Sequence, residues 1–369
     1  MDTLCKKLLW VALVLVLGQS VTAQEQVSKK ISKTYALNDT GKLQLENKYG
    51  NLNLNGWDKD EVAVEIAITV NHRKKENAEA LLQRIRPTVI ERDGFVSLGY
   101  EILEKSDGWF ANFFEKANPF DYDKSNIQID YTVYMPVKVE LQLTNTFGDV
   151  LIEDWTGKLK ALVEHGDIWI SENLNKADIT MRYGKLRAQN ISYGNITIKN
   201  GELDMGDSKS LRLNSSGTDS NLNTITSLEV YSNKDNLNIE EVGTMFGTLK
   251  FSTLELNRLA KEADMSLRVA DFRVAEISQP NTDITIEQES SEISINVSNF
   301  SHQFDATLEQ GLVRLPKSFE NIDSKMLDKG KKLREIKATY GKGTQGRISI
   351  TGKKGVVLLK ETTPKTVRR

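Results

Sequence analysis

Apolar residues recur along the middle of the chain at a nearly constant interval. Leu143, Ala161, Ile179, Ile196, Leu213, Val230, Leu249, Leu267, Ile284 and Phe304 each open a short strand-like run, about 18 residues apart on average. Sustained periodicity of this kind marks a repeat architecture, in which each unit buries its apolar face only against its neighbours. Such an interval accommodates two strands of about six residues and two turns of about three. The pattern therefore predicts an all-β chain built on a flattened, two-faced parallel β-solenoid of about ten coils. Right-handed winding is expected, with a length of about 45 Å at the usual strand spacing.

Ahead of the repeats, Leu43, Leu45, Leu52, Leu54, Val62, Val64, Ile66 and Ile68 alternate with polar residues, and turn residues separate them at Tyr49-Gly50-Asn51 and Asn55-Gly56. That is the signature of half-buried antiparallel strands. Over residues 74–86 the spacing becomes helical, with Ala78, Leu81, Leu82 and Ile85 on one side and Pro87 as the stop. Strand patterns return at 95–103 and 127–143, the second broken at Met135-Pro136, where proline marks an edge or a crossing into the repeats. Past Phe304 the period fades. Residues 317–337 carry Met326, Leu327 and Leu333 at helical spacing, and strands at 347–351 and 355–359 follow. An atypical end is expected of a stack whose last unit needs a cap. The expected organisation is a signal peptide over 1–23, an N-terminal β module with one helix over 24–136, β-solenoid repeats over 137–315, and a C-terminal cap and tail over 316–369.

Within the repeats a motif of aromatic ring, glycine and polar residue recurs at Phe147-Gly148-Asp149, His165-Gly166-Asp167, Tyr183-Gly184-Lys185 and Tyr193-Gly194-Asn195. Glycine supplies the positive φ of a tight corner, the polar residue bonds the turn backbone, and the ring can stack on its equivalent one coil away. The same motif occurs far upstream: Asn47 to Trp57 matches Asn145 to Trp155 position for position, 98 residues apart. With the strand beat of Val137, Val139, Leu141 and Leu143, it resembles the putative adhesin family, exported bacterial β-solenoid proteins of unknown biochemical function that include auto-transporter adhesin head-domain-like members. The resemblance spans roughly residues 31–315. It implies a solenoid fold and a place in the cell envelope or at its surface, and it brings no catalytic motif to transfer.

Composition narrows the chemistry. With 369 residues, 27% charged and 39% hydrophobic, the chain is neither disordered nor membrane-spanning in composition, and a net charge of −2 argues against a nucleic-acid partner. Lys6 and Lys7, the apolar run 8–17 and the small-residue site ending at Ala23 predict export with cleavage after Ala23, in the periplasm, at the outer surface or secreted. The apolar run is too short to span a bilayer. Cys5, the one cysteine, would leave with that peptide, so no disulfide or lipid anchor is expected.

Candidate sites are few. Asp149 and Asp167 occupy equivalent positions one coil apart, a spacing compatible with glycosidase or calcium chemistry, although turn bonding already accounts for each. His72, His165 and His302 lack zinc spacing, and His165 fits ring stacking. Neither Gly-x-Ser-x-Gly nor a phosphate-cradling loop is present, and Gly341, Gly343 and Gly346 read as a hairpin turn. Between residues 109 and 122 six rings cluster, and Trp109, Phe110, Phe113, Phe114 and Phe120 are either a lid on the first coil or a binding patch. No catalytic residue, metal or cofactor is expected. The leading expectation is a non-enzymatic, adhesin-like scaffold contacting a cell-surface polymer, glycan or envelope protein. The alternatives are a polysaccharide lyase or glycoside hydrolase, which calls for three or more Asp, Lys or Arg side chains in one groove, and a periplasmic structural or signalling partner.

Overall fold

The structure, a computed structural model, describes residues 25–103, 126–343 and 345–361. The expected signal peptide and the aromatic segment from Trp109 to Phe120 lie outside the described residues. Within them the chain is β-strand joined by turns, with one helix, Lys75–Arg84. That helix is two residues shorter than its apolar spacing suggests at the C-terminal side. Ile85–Arg92 is already a strand, paired on one side only with Phe95–Ile102, so Pro87 sits on an edge where its missing donor costs no ladder bond.

Two long columns of inward side chains run through the molecule, each joined by parallel pairing. The first passes Leu45, Leu143, Ala161, Ile179, Ile196, Leu213, Val230, Gly247, Met265, Ile286, Ile350 and Ala306. A second follows Leu52, Val150, Ile168, Leu186, Leu203, Ser220, Leu237, Leu254, Phe272, Ile293, Val357 and Val313. A short third column, Ile225, Val242, Leu259 and Ile277, forms where the strands bend again. Eleven steps at the strand spacing stretch over about 50 Å. Nearly all these inner side chains are buried, and together they form one continuous apolar core.

The periodic reading is correct from Leu143 to Val230 and slips afterwards. Val230 lies beside Gly247, not Leu249; glycine breaks the apolar beat, and the next apolar residue two places on takes its place in the pattern. At the far end Ile284 and Phe304 are not neighbours, because Ile348 stands between them.

The sheet is mixed, not purely parallel. Below the first rung, Lys42–Tyr49 pairs with Phe95–Ile102 and Leu52–Trp57 with Ile127–Pro136. Beyond these come antiparallel partners, Ile85–Arg92 on one side and Glu61–His72 then Glu25–Ala36 on the other. At the opposite end, Gly346–Lys353 enters between Asp283–Glu289 and His302–Glu309, and Leu333–Tyr340 then Phe319–Asp328 add antiparallel to the outside. The physical reason is that a parallel stack ends in rows of unpaired backbone groups, and folding back is the short connection that covers them. The helix expected over 317–337 is this strand pair: Met326 and Leu327 are exposed and make no apolar stripe. Gly341 and Gly343, both at positive φ, belong not to a hairpin but to a crossover, since the strands they join lie on opposite sides of His302–Glu309.

The corner motif works differently from the expectation. Gly50 and Gly148 do take positive φ, but from His165 onward the residue before the glycine is left-handed, His165 at 53° and Tyr183 at 57°. Glycine is needed there for closeness: a Cβ on Gly166 would lie 1.9 Å from the Gly148 carbonyl oxygen, and one on Gly184 2.0 Å from that of Gly166. Tyr193-Gly194 is no corner at all but lies mid-strand beside Lys176 and Ala177; the true equivalent is Asn200-Gly201-Glu202.

Two outcomes follow. Gly166→Ala must push neighbouring rungs apart and is expected to lower stability by about 2 kcal/mol or more, read as a shifted urea midpoint. His302 is fully buried among Phe300, Phe319 and Tyr340, and burial lowers its pKa below the ordinary 6.5 against a weaker opposing bond to the Phe300 carbonyl. The unfolded chain therefore takes up this proton first, so stability is full above 6.5 and falls as pH drops below it. His302→Phe should flatten that slope in thermal unfolding between neutral pH and pH 5.

Candidate functional site: a groove across the rungs

Because the second column points inward at every other residue, the residues between point out and stack in register: Leu151, Trp169, Arg187, Asp204, Asn221, Asn238, Glu255 and Arg273. Where these strands bend toward the third column the surface is concave. Two depressions of about 690 and 730 Å³ lie there and share Asn221 and Leu222, so they form one groove crossing successive rungs. Trp169, half-buried, stands at one end; Ser294, Asn296 and Lys360 lie at the other.

The groove's polar side chains hold each other from rung to rung. Asn221 donates to Asp204 at 2.9 Å and Asn238 to Asn221 at 3.2 Å, while Asn257 donates to Glu240 at 2.8 Å. Arg273 pairs with Glu255 at 2.8 Å, and Asp204 meets Lys185 at 2.9 Å and Arg187 at 3.6 Å. Partial burial alone would raise the Asp204 carboxyl, but hydrogen bonds from Asn221 and Lys185 outweigh it and hold the group below its usual range. Lys185 is held above its own by bonds to Glu202 and Asp204. Sequence reasoning missed this groove. Its signal was present in the run of outward Asn residues 17 apart, Asn221 and Asn238.

The residues singled out from sequence serve the corners. Asp149 accepts from the Asp167 N–H at 2.9 Å and Asp167 from the Lys185 N–H at 2.8 Å, so each carboxylate caps the next rung's turn rather than its own. Asn51 and Asp130 extend the same relay below. Tyr49, Phe147, His165 and Tyr183 stack at centroid separations of 6.1, 5.2 and 4.8 Å, the ring ladder expected of them. His72 accepts from the Lys74 N–H at a strand end and His302 sits in the aromatic cluster, so the three histidines do not converge. Among the described residues no three His, Cys, Asp or Glu side chains are placed to hold a metal. No helix of the described residues is long and apolar enough to cross a membrane.

One buried carboxylate had no sequence flag. Asp235 accepts from the Ser215 and Ser232 hydroxyls at 2.7 and 2.6 Å and from the Thr218 and Asn233 N–H groups at 2.8 and 3.0 Å. At the corner-glycine position it carries a side chain whose oxygens tie its own rung to the one before. Asp235→Ala would orphan these donors and is expected to cost about 2 to 4 kcal/mol, measured by denaturant unfolding.

No protein-family model and no curated protein matches the chain. Among solved structures it is similar to a putative adhesin from Parabacteroides merdae ATCC 43184, at 9% identity and TM-score 0.29, covering 90% of this chain and 96% of that one. It is also similar to a putative adhesin from Bacteroides fragilis NCTC 9343, at 15% identity and TM-score 0.22, covering 90% and 97%. A third, a putative lipid binding protein from Parabacteroides distasonis ATCC 8503, stands at 11% and 0.26, with the same coverage. Adhesins therefore stand among the structures this chain is similar to, in keeping with the resemblance drawn from its motifs, but scores this far below 0.5 carry no argument about what it binds.

Proposed function

We propose that the chain is an exported, non-enzymatic, adhesin-like β-solenoid of the cell envelope or surface, and that the groove is its contact face. The carrying observation is the groove itself, crossing rung after rung with an apolar floor of Ile170, Met205, Leu222, Ile239, Leu256 and Val274 beside a row of polar side chains fixed by their neighbours above and below. A surface whose chemistry repeats at the strand spacing suits an extended partner.

The lyase reading has one observation in its favour: Lys185, Arg187 and Asp204 come together at the groove margin. A proton-abstracting base must give up its proton near neutral pH. Lys185 is shifted the other way, and the Asp204 carboxylate is occupied by Lys185 and Asn221. The trio is thus a saturated ion network, which favours the scaffold.

Fractionation of producing cells should find the protein outside the cytoplasm, and the purified full chain should be retained by isolated envelope material. Incubation with acidic and neutral polysaccharides should release no unsaturated or reducing ends. Turnover that disappears in Asp204→Asn would replace this reading with the lyase.

A further inference from the structure

The groove's chemistry selects a class of ligand, an inference that rests on its being the contact face. Its formal charges cancel: Arg187, Arg273 and Lys360 against Asp204, Glu240 and Glu255. The strongest of them are already paired within the wall, Arg273 with Glu255 and Arg187 with Asp204. A polyanion such as nucleic acid or an acidic polysaccharide would find no unsatisfied cationic stripe, and a polycation no acidic one.

What recurs instead is the carboxamide, set beside an apolar floor of Met205, Leu222, Ile239, Leu256 and Val274 on which the C–H face of a sugar ring can lie. Asn221, Asn223, Asn238 and Asn257 line the middle of the groove. A primary amide has two N–H donors and two acceptor lone pairs. Asn221 spends one N–H on Asp204 and one acceptor position on Asn238. Half of its capacity is thereby used to fix its orientation, and half is left for a group that both donates and accepts. A hydroxyl is such a group. Trp169 adds an aromatic ring at one end, and between Trp169 and Arg273 the six rung steps make a track of about 29 Å. The ladder bonds hold the amides in place before any ligand arrives, so little ordering entropy is lost on binding.

We infer that the groove binds a neutral, hydroxyl-rich linear polymer, an uncharged glycan lying along the stack with its hydroxyls on the Asn221 and Asn238 amides and a sugar face on Trp169. Binding is multivalent along the track, each rung contributing weakly.

Affinity electrophoresis of the full chain tests this in gels containing a neutral β-1,4-linked glucan, a neutral mannan or acidic polygalacturonate. Retardation by a neutral polymer is expected, with little change on raising salt. The double variant Asn221→Ala/Asn238→Ala and the single Trp169→Ala should each weaken it about tenfold, equal to about 1.4 kcal/mol. Lys160→Ala, on the other strand face, should leave it unchanged. Should the alanine pair unfold, Asn221→Thr/Asn238→Thr, uncharged and β-branched, suits the strands while removing both amides, and it should weaken binding similarly. Retardation by polygalacturonate alone, or neutral binding that survives the groove substitutions, overturns the inference. Retention on envelope material without retardation by any polysaccharide overturns it while leaving the contact-face reading standing, whereas loss of both removes that reading as well.

Discussion

Everything in this molecule follows from parallel backbone pairing in register, one rung on the next. At a strand spacing of about 4.8 Å each side chain lies directly over its equivalent, so what suits one position must tolerate a copy of itself. Inside, that favours stacked Leu, Ile and Val, which fill most positions of the two long columns. At the corners it brings carbonyl oxygens of one rung against the Cα of the next, which is why Gly166, Gly184 and Gly201 have no room for a Cβ. The tight corner is thus set less by φ than by the nearness of its neighbour.

The same rule governs the outer faces, where stacking like charges is costly. While Glu202 with Asp219, Lys250 with Arg268 and Asp271 with Glu292 are like-charged, many rung partners there are of opposite sign: Glu164 with Arg182, Lys185 with Glu202, Arg212 with Glu229, Glu241 with Arg258 and Glu255 with Arg273. Each exposed pair contributes little by itself, typically about 0 to 1 kcal/mol. Collectively they penalise any slip of one rung, which would set like charges together. Neutral amides carry no such cost, and Asn221 and Asn238 repeat on adjacent rungs with one donating to the other. Polar identity along the groove is therefore partly a consequence of the stack.

Much of the architecture could be read before the fold was seen, because a period of about 18 is long enough to rise above local noise. The correspondence of Asn47–Trp57 with Asn145–Trp155 proved to be a direct rung contact, Asn47 on Asn145 and Leu52 on Val150. The described strands between them, Glu61–His72 and Ile85–Arg92 among them, fold outward into the antiparallel end. What could not be read had specific causes. Glu25–Ala36 places Val27, Ile31 and Tyr35 four apart, a spacing that mimics a helix although every fourth residue also shares one strand face. Entry of Gly346–Lys353 between two earlier strands follows no local pattern, since any apolar alternating strand would satisfy either neighbour. The groove was hidden because concavity is a property of bends in successive rungs, while the sequence advertises only their strands.

That late insertion bears on why a stack so regular stops. A parallel rung added in chain order would leave an identical open edge, ready to pair with another chain. Instead His302–Glu309 is held on one side by Gly346–Lys353 and on the other by Leu333–Tyr340 running antiparallel, so the repeat's own geometry ends there. Beside the three-residue Leu312–Arg314, which pairs on one side only, the long edge exposed at this end among the described residues is Phe319–Asp328. It carries two register breaks against its partner and the charges Glu320, Asp323, Lys325 and Asp328, features that spoil a straight template for further pairing. At the other end Glu25–Ala36 presents Lys29, Lys30 and Lys33 along its free side of the sheet, with the same effect. The regularity that stacks rung on rung would also favour filament growth, and the irregular ends oppose it.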